Sequence, residues 1–230
     1  MNPTVVSRSA ASPKQTPRFG PLDILAIIIA AVSGAFYLAH AGEPQWVRLL
    51  TKALPVLCLA FLARRGNRLI LAGLLASAAG DVALELWFVP GVLAFLTAHV
   101  FYIAAFVGME RRLRPLHALP FAAWAAAAYT AVHMNLGAMA APVAVYIGVI
   151  CAMMWRAAAQ ADRGRWAWLG LAGALMFGAS DTLIALARWT PGFAASGLLI
   201  MALYWGGQAL IAEHSGFSIQ NSARRPLSAR

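Results

Sequence analysis

The sequence predicts an all-α membrane protein, a bundle of about eight transmembrane helices, and three observations carry that expectation. Hydrophobic residues make up 61% of the chain and charged residues only 11%, whereas a soluble chain carries roughly 25% charged residues. The apolar residues gather into eight runs of about 18 to 22 residues, the length a helix needs to cross ~30 Å of hydrocarbon. The basic residues, which set a formal net charge of +10, fall in short clusters between those runs. That is the pattern of cytoplasmic loops rather than of a nucleic-acid-binding surface.

Taken in order, the expected spans cover residues 22–41, 46–63, 69–87, 90–109, 116–134, 137–156, 166–187 and 192–212. The first is too long, and too closely followed by the second, for the core of a signal peptide. Lys52 and Pro55 interrupt the second, and the fifth is rich in alanine. Residues 1–21 and 215–230 read as basic cytoplasmic tails flanking a transmembrane domain over 22–214. Fifteen of the eighteen Lys and Arg lie in the two tails and in the loops around Arg64, Arg111 and Arg163, which all share one side of an eight-span chain. Arg48 and Arg188 are on the other side, and Lys52 is within a span. The positive-inside rule then places both termini in the cytoplasm, which for a bacterial chain means the inner membrane. Seven or nine spans would scatter this distribution.

Spans three and seven align at an offset of 100 residues, with segment 72–81 over 172–181. Asp81 falls on Asp181, and each is followed by Pro-Gly (Pro90-Gly91 and Pro191-Gly192) and another span. Alanine and glycine matches are cheap in this composition. Two of only eight acidic residues at one depth are less so. Both spans run in the same direction, so the offset implies a parallel repeat of two four-helix halves rather than an inverted one.

A charge deep in hydrocarbon costs at least ~2.5–3.5 kcal/mol on insertion scales, so it needs a partner or a wet cavity. Lys52, Asp81 and Asp181 each fall roughly 9 Å from the outer end of their spans at 1.5 Å per residue. Small residues flank both aspartates and allow close helix approach. His99 and Tyr102 occupy the middle of the fourth span, and Tyr204 and Gln208 extend along the eighth. The expected site is a polar pocket among the second, third, fourth, seventh and eighth helices, open outward. Plainer readings stand beside it. Lys52 and Asp81 would make a structural ion pair, and His99 would satisfy itself on a carbonyl or carboxylate. Glu85, Arg188, Glu213 and His214 would be solvated near the interfaces, and Tyr102 and Tyr204 would be core. Against these, two acids beside one lysine leave a carboxyl to share a proton, which supplies an acid and a base in one pocket. Metal chemistry is not indicated, because the histidines are scattered and Cys58 and Cys151 sit singly in apolar runs. Neither a Gly-x-Ser-x-Gly elbow nor a phosphate-binding glycine loop is present.

The segment Lys52-Ala53-Leu54-Pro55, Gly80-Asp81 with His99 and Tyr102 downstream, and Ser180-Asp181 followed by Tyr204 resemble the YhhN family of bacterial and animal membrane proteins, which includes lysoplasmalogenase. The resemblance covers about residues 22–214 with a similar span count; the basic N-terminal tail lies outside it. It implies hydrolysis of the vinyl-ether bond of lysoplasmalogens to a fatty aldehyde and glycerophosphoethanolamine or glycerophosphocholine. No cofactor or metal is implied, and the partners are a lysophospholipid substrate and membrane lipid. By the same resemblance Asp81 and Asp181 form the acid–base pair, and Lys52 keeps one carboxylate ionised. His99 and Tyr102 orient substrate or water, with Ser180, Tyr204 and Gln208 as further substrate contacts. The alternative is a proton-coupled transporter using the same Asp and Lys residues as a relay, which would require polar access from both sides.

Overall fold

The protein is described by a computed structural model over residues 20–40 and 42–223. Eight α-helices follow one another: α1 Pro21–Ala39, α2 Gln45–Ala63, α3 Arg68–Leu86, α4 Phe88–Met109, α5 Leu119–Val132, α6 Ala140–Ala158, α7 Arg165–Trp189 and α8 Gly197–Ala223. Among the described residues there is no strand. Helices α1 to α4, α6 and α7 are long and apolar enough to cross a membrane. Their outward faces carry exposed large apolar side chains, such as Leu22, Val32, Trp46 and Leu93, which a bilayer covers and water would not.

Two elements depart from the expected boundaries. The fifth span breaks into a 3₁₀ turn, Pro115–Ala118, a 14-residue α5 and two further 3₁₀ turns, His133–Asn135 and Gly137–Met139. Pro115 and Pro120 lack a backbone N–H, and Arg114 turns the chain at φ 48°; the continuous helix spans only about 21 Å. The eighth helix begins at Gly197 rather than 192, because Pro191 and Gly192 (φ 76°) hold a non-helical connection. It also runs through Ala223, past the expected start of the C-terminal tail. The remaining tail residues, 1–19 and 224–230, lie outside the described residues.

Polar contacts gather the basic loops at one end of the bundle. Arg64 pairs with Asp23 at 2.9 Å, the Asn67 N–H donates to Ser215 Oγ at 2.6 Å, and His214 Nδ1 donates to the Trp166 carbonyl at 2.9 Å. Arg156 donates to the carbonyls of Glu110, Arg112 and Leu113, and Arg114 pairs with Asp162. Glu110 lies outside the spans. The Arg112 backbone N–H, with Arg163, Arg112 and Arg114 nearby, holds its carboxyl below the usual range.

Packing is tightest between α3 and α4 and between α7 and α8. A Cβ on Gly73 would run into the Tyr102 ring of α4, and one on Gly173 would sit 2.7 Å from the Gly207 carbonyl of α8. Those positions admit glycine alone. Fully buried Phe177 occupies the centre, with the rings of His99 at 4.6 Å, Tyr204 at 5.3 Å and Phe95 at 6.3 Å. Together with Tyr102, Phe106, Met153 and Met154 it fills the middle and inner part of the bundle. The outer part is not filled.

Candidate active site

That outer part is a cavity of about 840 Å³, within the ~300–1,000 Å³ typical of ligand pockets. All eight helices contribute to its wall, mostly from the halves opposite the basic loops, with α5 and α6 lining it to mid-helix at Trp124, Ile150 and Cys151. Asp81 from α3 and Asp181 from α7 both face into it, as do Lys52, Ser180 and Tyr204. His99, Tyr102 and Gln208 are fully buried and stand behind the wall, not in it. On α4 the helical phase turns His99 and Tyr102 toward α7 and α8, where Tyr102 donates to Gln208 Oε1 at 2.6 Å.

Each aspartate is held by a tyrosine from another helix. Asp81, 1% exposed, accepts from the Tyr204 hydroxyl at 2.7 Å. Asp181 accepts from the Tyr146 hydroxyl at 2.9 Å, and its Oδ2 also faces His99 Nε2 at 3.7 Å. The His99 Nδ1 lies 2.6 Å from the Phe95 carbonyl oxygen. A carbonyl only accepts, so Nδ1 carries a hydrogen, and a neutral ring presents a lone pair from Nε2 toward Asp181. Ser180 Oγ donates to the Ile200 carbonyl at 3.0 Å and ties α7 to α8 beside Asp181.

Lys52 does not pair with either aspartate. Its Nζ donates to Glu85 Oε1 at 2.9 Å, and Arg48 Nη2 donates to Glu85 Oε2 at 3.0 Å. Glu85 is thus the half-buried centre of a three-residue cluster, where a solvated surface acid was expected. The reason lies in helix direction, since side chains tilt toward the N-terminus of their own helix. Helix α2 runs inward from the cavity end, so Lys52 leans outward. Helix α3 runs outward, so Glu85 leans inward, and the two meet one turn above Asp81. Arg188 is exposed, as expected, and lies over the Phe88 ring at 3.9 Å from its centroid. Tyr146 is the residue that the sequence reading passed over. A signal was there, because it bears the only hydroxyl between residues 137 and 155 of an apolar run. A lone polar group at that depth needs a partner. Among the described residues no three His, Cys, Asp or Glu side chains cluster so as to hold a metal ion.

With two acids, two supporting tyrosines and a pair of cations around an otherwise apolar chamber, the geometry suits proton transfer to a lipid-like molecule. The YhhN family model matches residues 47–215, a stretch that contains Lys52, both aspartates and every partner just described. The chain belongs to the YhhN family. Over 192 residues it is 37% identical to lysoplasmalogenase TMEM86A of Homo sapiens, covering 75% of this chain and 79% of that protein. Lysoplasmalogenase TMEM86B of Homo sapiens is 34% identical over 176 residues, 73% of this chain and 74% of its own. A lysoplasmalogenase of Mycobacterium tuberculosis is 31% identical over 159 residues, 64% and 60% of the two chains. No solved structure matches.

Proposed function

We propose that this YhhN-family chain is a membrane-embedded lysoplasmalogenase, hydrolysing the vinyl ether of a lysoplasmalogen to a fatty aldehyde and a glycerophospho-alcohol. The observation that carries the reading is the convergence of Asp81 and Asp181 on one largely apolar cavity; the relatives named lysoplasmalogenase favour the same chemistry over the transporter. The packed layer of Phe177, Tyr102, Phe106, Met153 and Met154 lies inward of the acids. It speaks for a chamber entered from one side, where a carrier needs two.

Vinyl-ether hydrolysis begins with a proton delivered to the alkenyl carbon remote from oxygen, which leaves an oxocarbenium ion. Water adds at the carbon bonded to oxygen and loses a proton. The resulting hemiacetal breaks to aldehyde and the free glycerol hydroxyl. One group must give a proton and another must take one. Asp81 and Asp181 are the two groups in position for it. Asp181 Oδ2 accepts from Tyr146 and stands 3.7 Å from His99 Nε2, so His99 is placed beside any proton that Asp181 holds. Asp81 accepts from Tyr204 in the same way, so one carboxyl gives its proton to carbon while the other, ionised, draws a proton from water. Lys52, held by Glu85, keeps the outer wall cationic rather than pairing with a catalytic acid.

The substrate is a lysophospholipid drawn from the bilayer. The catalytic unit is the transmembrane domain of residues 22–214, with both termini on the cytoplasmic side of a bacterial inner membrane. The test is to incubate the purified protein with a lysoplasmalogen and, in parallel, an ester lysophospholipid. Aldehyde from the first and no fatty acid from the second is the expected result; fatty acid release, or neither product, overturns the assignment.

A further inference from the structure

The cluster of Arg48, Lys52 and Glu85 has no part in the acid–base chemistry, yet its two cations stand in the cavity wall. Arg48 and Lys52 are one turn apart on α2 and share one carboxylate, at 3.0 and 2.9 Å. Two cations on one carboxylate give the cluster itself one positive charge, in a low-dielectric chamber where charge attraction is strong. They also leave donors to spare. Lys52 has three ammonium hydrogens and gives one to Glu85, and Arg48 Nε has no hydrogen-bond partner while being shielded from solvent. The Arg48 side chain remains 38% exposed, so the site can be entered.

We propose that Arg48 and Lys52 form the subsite for the phosphodiester of the lysophospholipid, an inference that rests on the lysoplasmalogenase reading. The position fits the substrate. Glu85 lies four residues beyond Asp81 on α3, about 6 Å along the helix, and in a lysophospholipid only the three-carbon glycerol separates phosphate from the sn-1 ether. A phosphate held at the Glu85 layer therefore sets the ether oxygen beside Asp81. The hydrocarbon chain then runs to the far wall, where Val132, Val143, Ile147 and Leu186 of α5, α6 and α7 are apolar. Arginine and lysine are the side chains that bind phosphate by charge-assisted hydrogen bonds.

The test uses ligands that cannot be hydrolysed: a 1-O-alkyl lysophosphocholine and the matching uncharged 1-O-alkylglycerol, titrated into the detergent-solubilised full chain and followed by tryptophan fluorescence. The wild type should bind the phosphate-bearing ether about 10–100-fold more tightly, the worth of hydrogen bonds to a charged group. Arg48→Gln and Lys52→Gln should each reduce that ratio about tenfold or more, while Arg48→Lys keeps most of it; gel filtration certifies that each variant folds. A wild-type ratio near one, or a ratio unchanged in both glutamine variants, overturns the subsite. Inorganic phosphate at millimolar concentration should leave the ratio intact, and its abolishing the ratio would mean that free phosphate, not the lipid headgroup, is the ligand. Because no turnover is read, the two readings fail separately. Absence of aldehyde release from lysoplasmalogen would sink the hydrolase and leave the ratio standing, whereas a ratio near one would sink the subsite and leave hydrolysis standing.

Discussion

At Asp81 and Asp181 the substitution that separates chemistry from folding is to asparagine, which keeps size and hydrogen bonding and removes the exchangeable acid. Either change should lower turnover by ~10²–10⁴-fold, the usual worth of positioned proton transfer, with the protein still inserting and purifying. The double variant should be little worse than the worse single one, since groups acting as a unit are non-additive. Normal aldehyde release from both single variants would make these carboxylates structural. Tyr146→Phe tests the residue that sequence alone did not supply. It removes one hydrogen bond to Asp181, worth ~1.5–3 kcal/mol when the partner is charged. Turnover should fall roughly 10–100-fold by the same measure, with KM little changed; a rise in KM alone would make Tyr146 a substrate contact instead. The aspartates were legible because a carboxylate in an apolar run is conspicuous. Tyr146 was not, because a phenol barely dents hydropathy. The partner of Lys52 was missed because depth along a span fixes height, while the tilt of each side chain decides which of two stacked carboxylates is reached.

At the scale of the helix, hydropathy located the spans, and proline and glycine chemistry moved their ends. Pro115 and Pro120 shortened the fifth, and Pro191 with Gly192 delayed the eighth. Which helices would press together was only partly legible. The small residues around both aspartates announced close approach without naming the partner. The structure supplies it: Gly73 against Tyr102, and Gly173 against Gly207. Gly173→Ala puts a methyl 2.7 Å from the Gly207 carbonyl oxygen, so α7 and α8 must part. Overpacking of this kind costs ~1–3 kcal/mol. Gly148→Ala is the control, because a Cβ there meets nothing within 4 Å and the helix gains up to ~1 kcal/mol from replacing glycine. Thermal unfolding in detergent should show a lowered midpoint for Gly173→Ala and an unchanged or raised one for Gly148→Ala. Equal midpoints would show that α7 and α8 are not clamped at that crossing.

Across the whole molecule the two halves meet at the site. Asp81 of the first half is held by Tyr204 of the second, and Asp181 of the second faces His99 of the first. That exchange pairs α3 with α8 and α7 with α4. It also means that neither half holds a complete acid–base pair. The cavity opens among the helix ends opposite the basic loops. We propose, on the positive-inside rule, that those loops are cytoplasmic, which would turn the mouth away from the cytoplasm and bring lipid through the outer leaflet. Single cysteines read this directly, since Cys58 and Cys151 are both buried. A cysteine placed in the connection at 191–196 should react with a membrane-impermeant maleimide in intact cells. One placed at 111–114 should react only after lysis. The same cells should release aldehyde from lysoplasmalogen added outside, at a rate that permeabilisation barely changes. Reversed labelling would invert the topology. Labelling as expected but activity only after permeabilisation would mean that substrate enters from the cytoplasmic leaflet, which the packed layer around Phe177 forbids in this arrangement of helices.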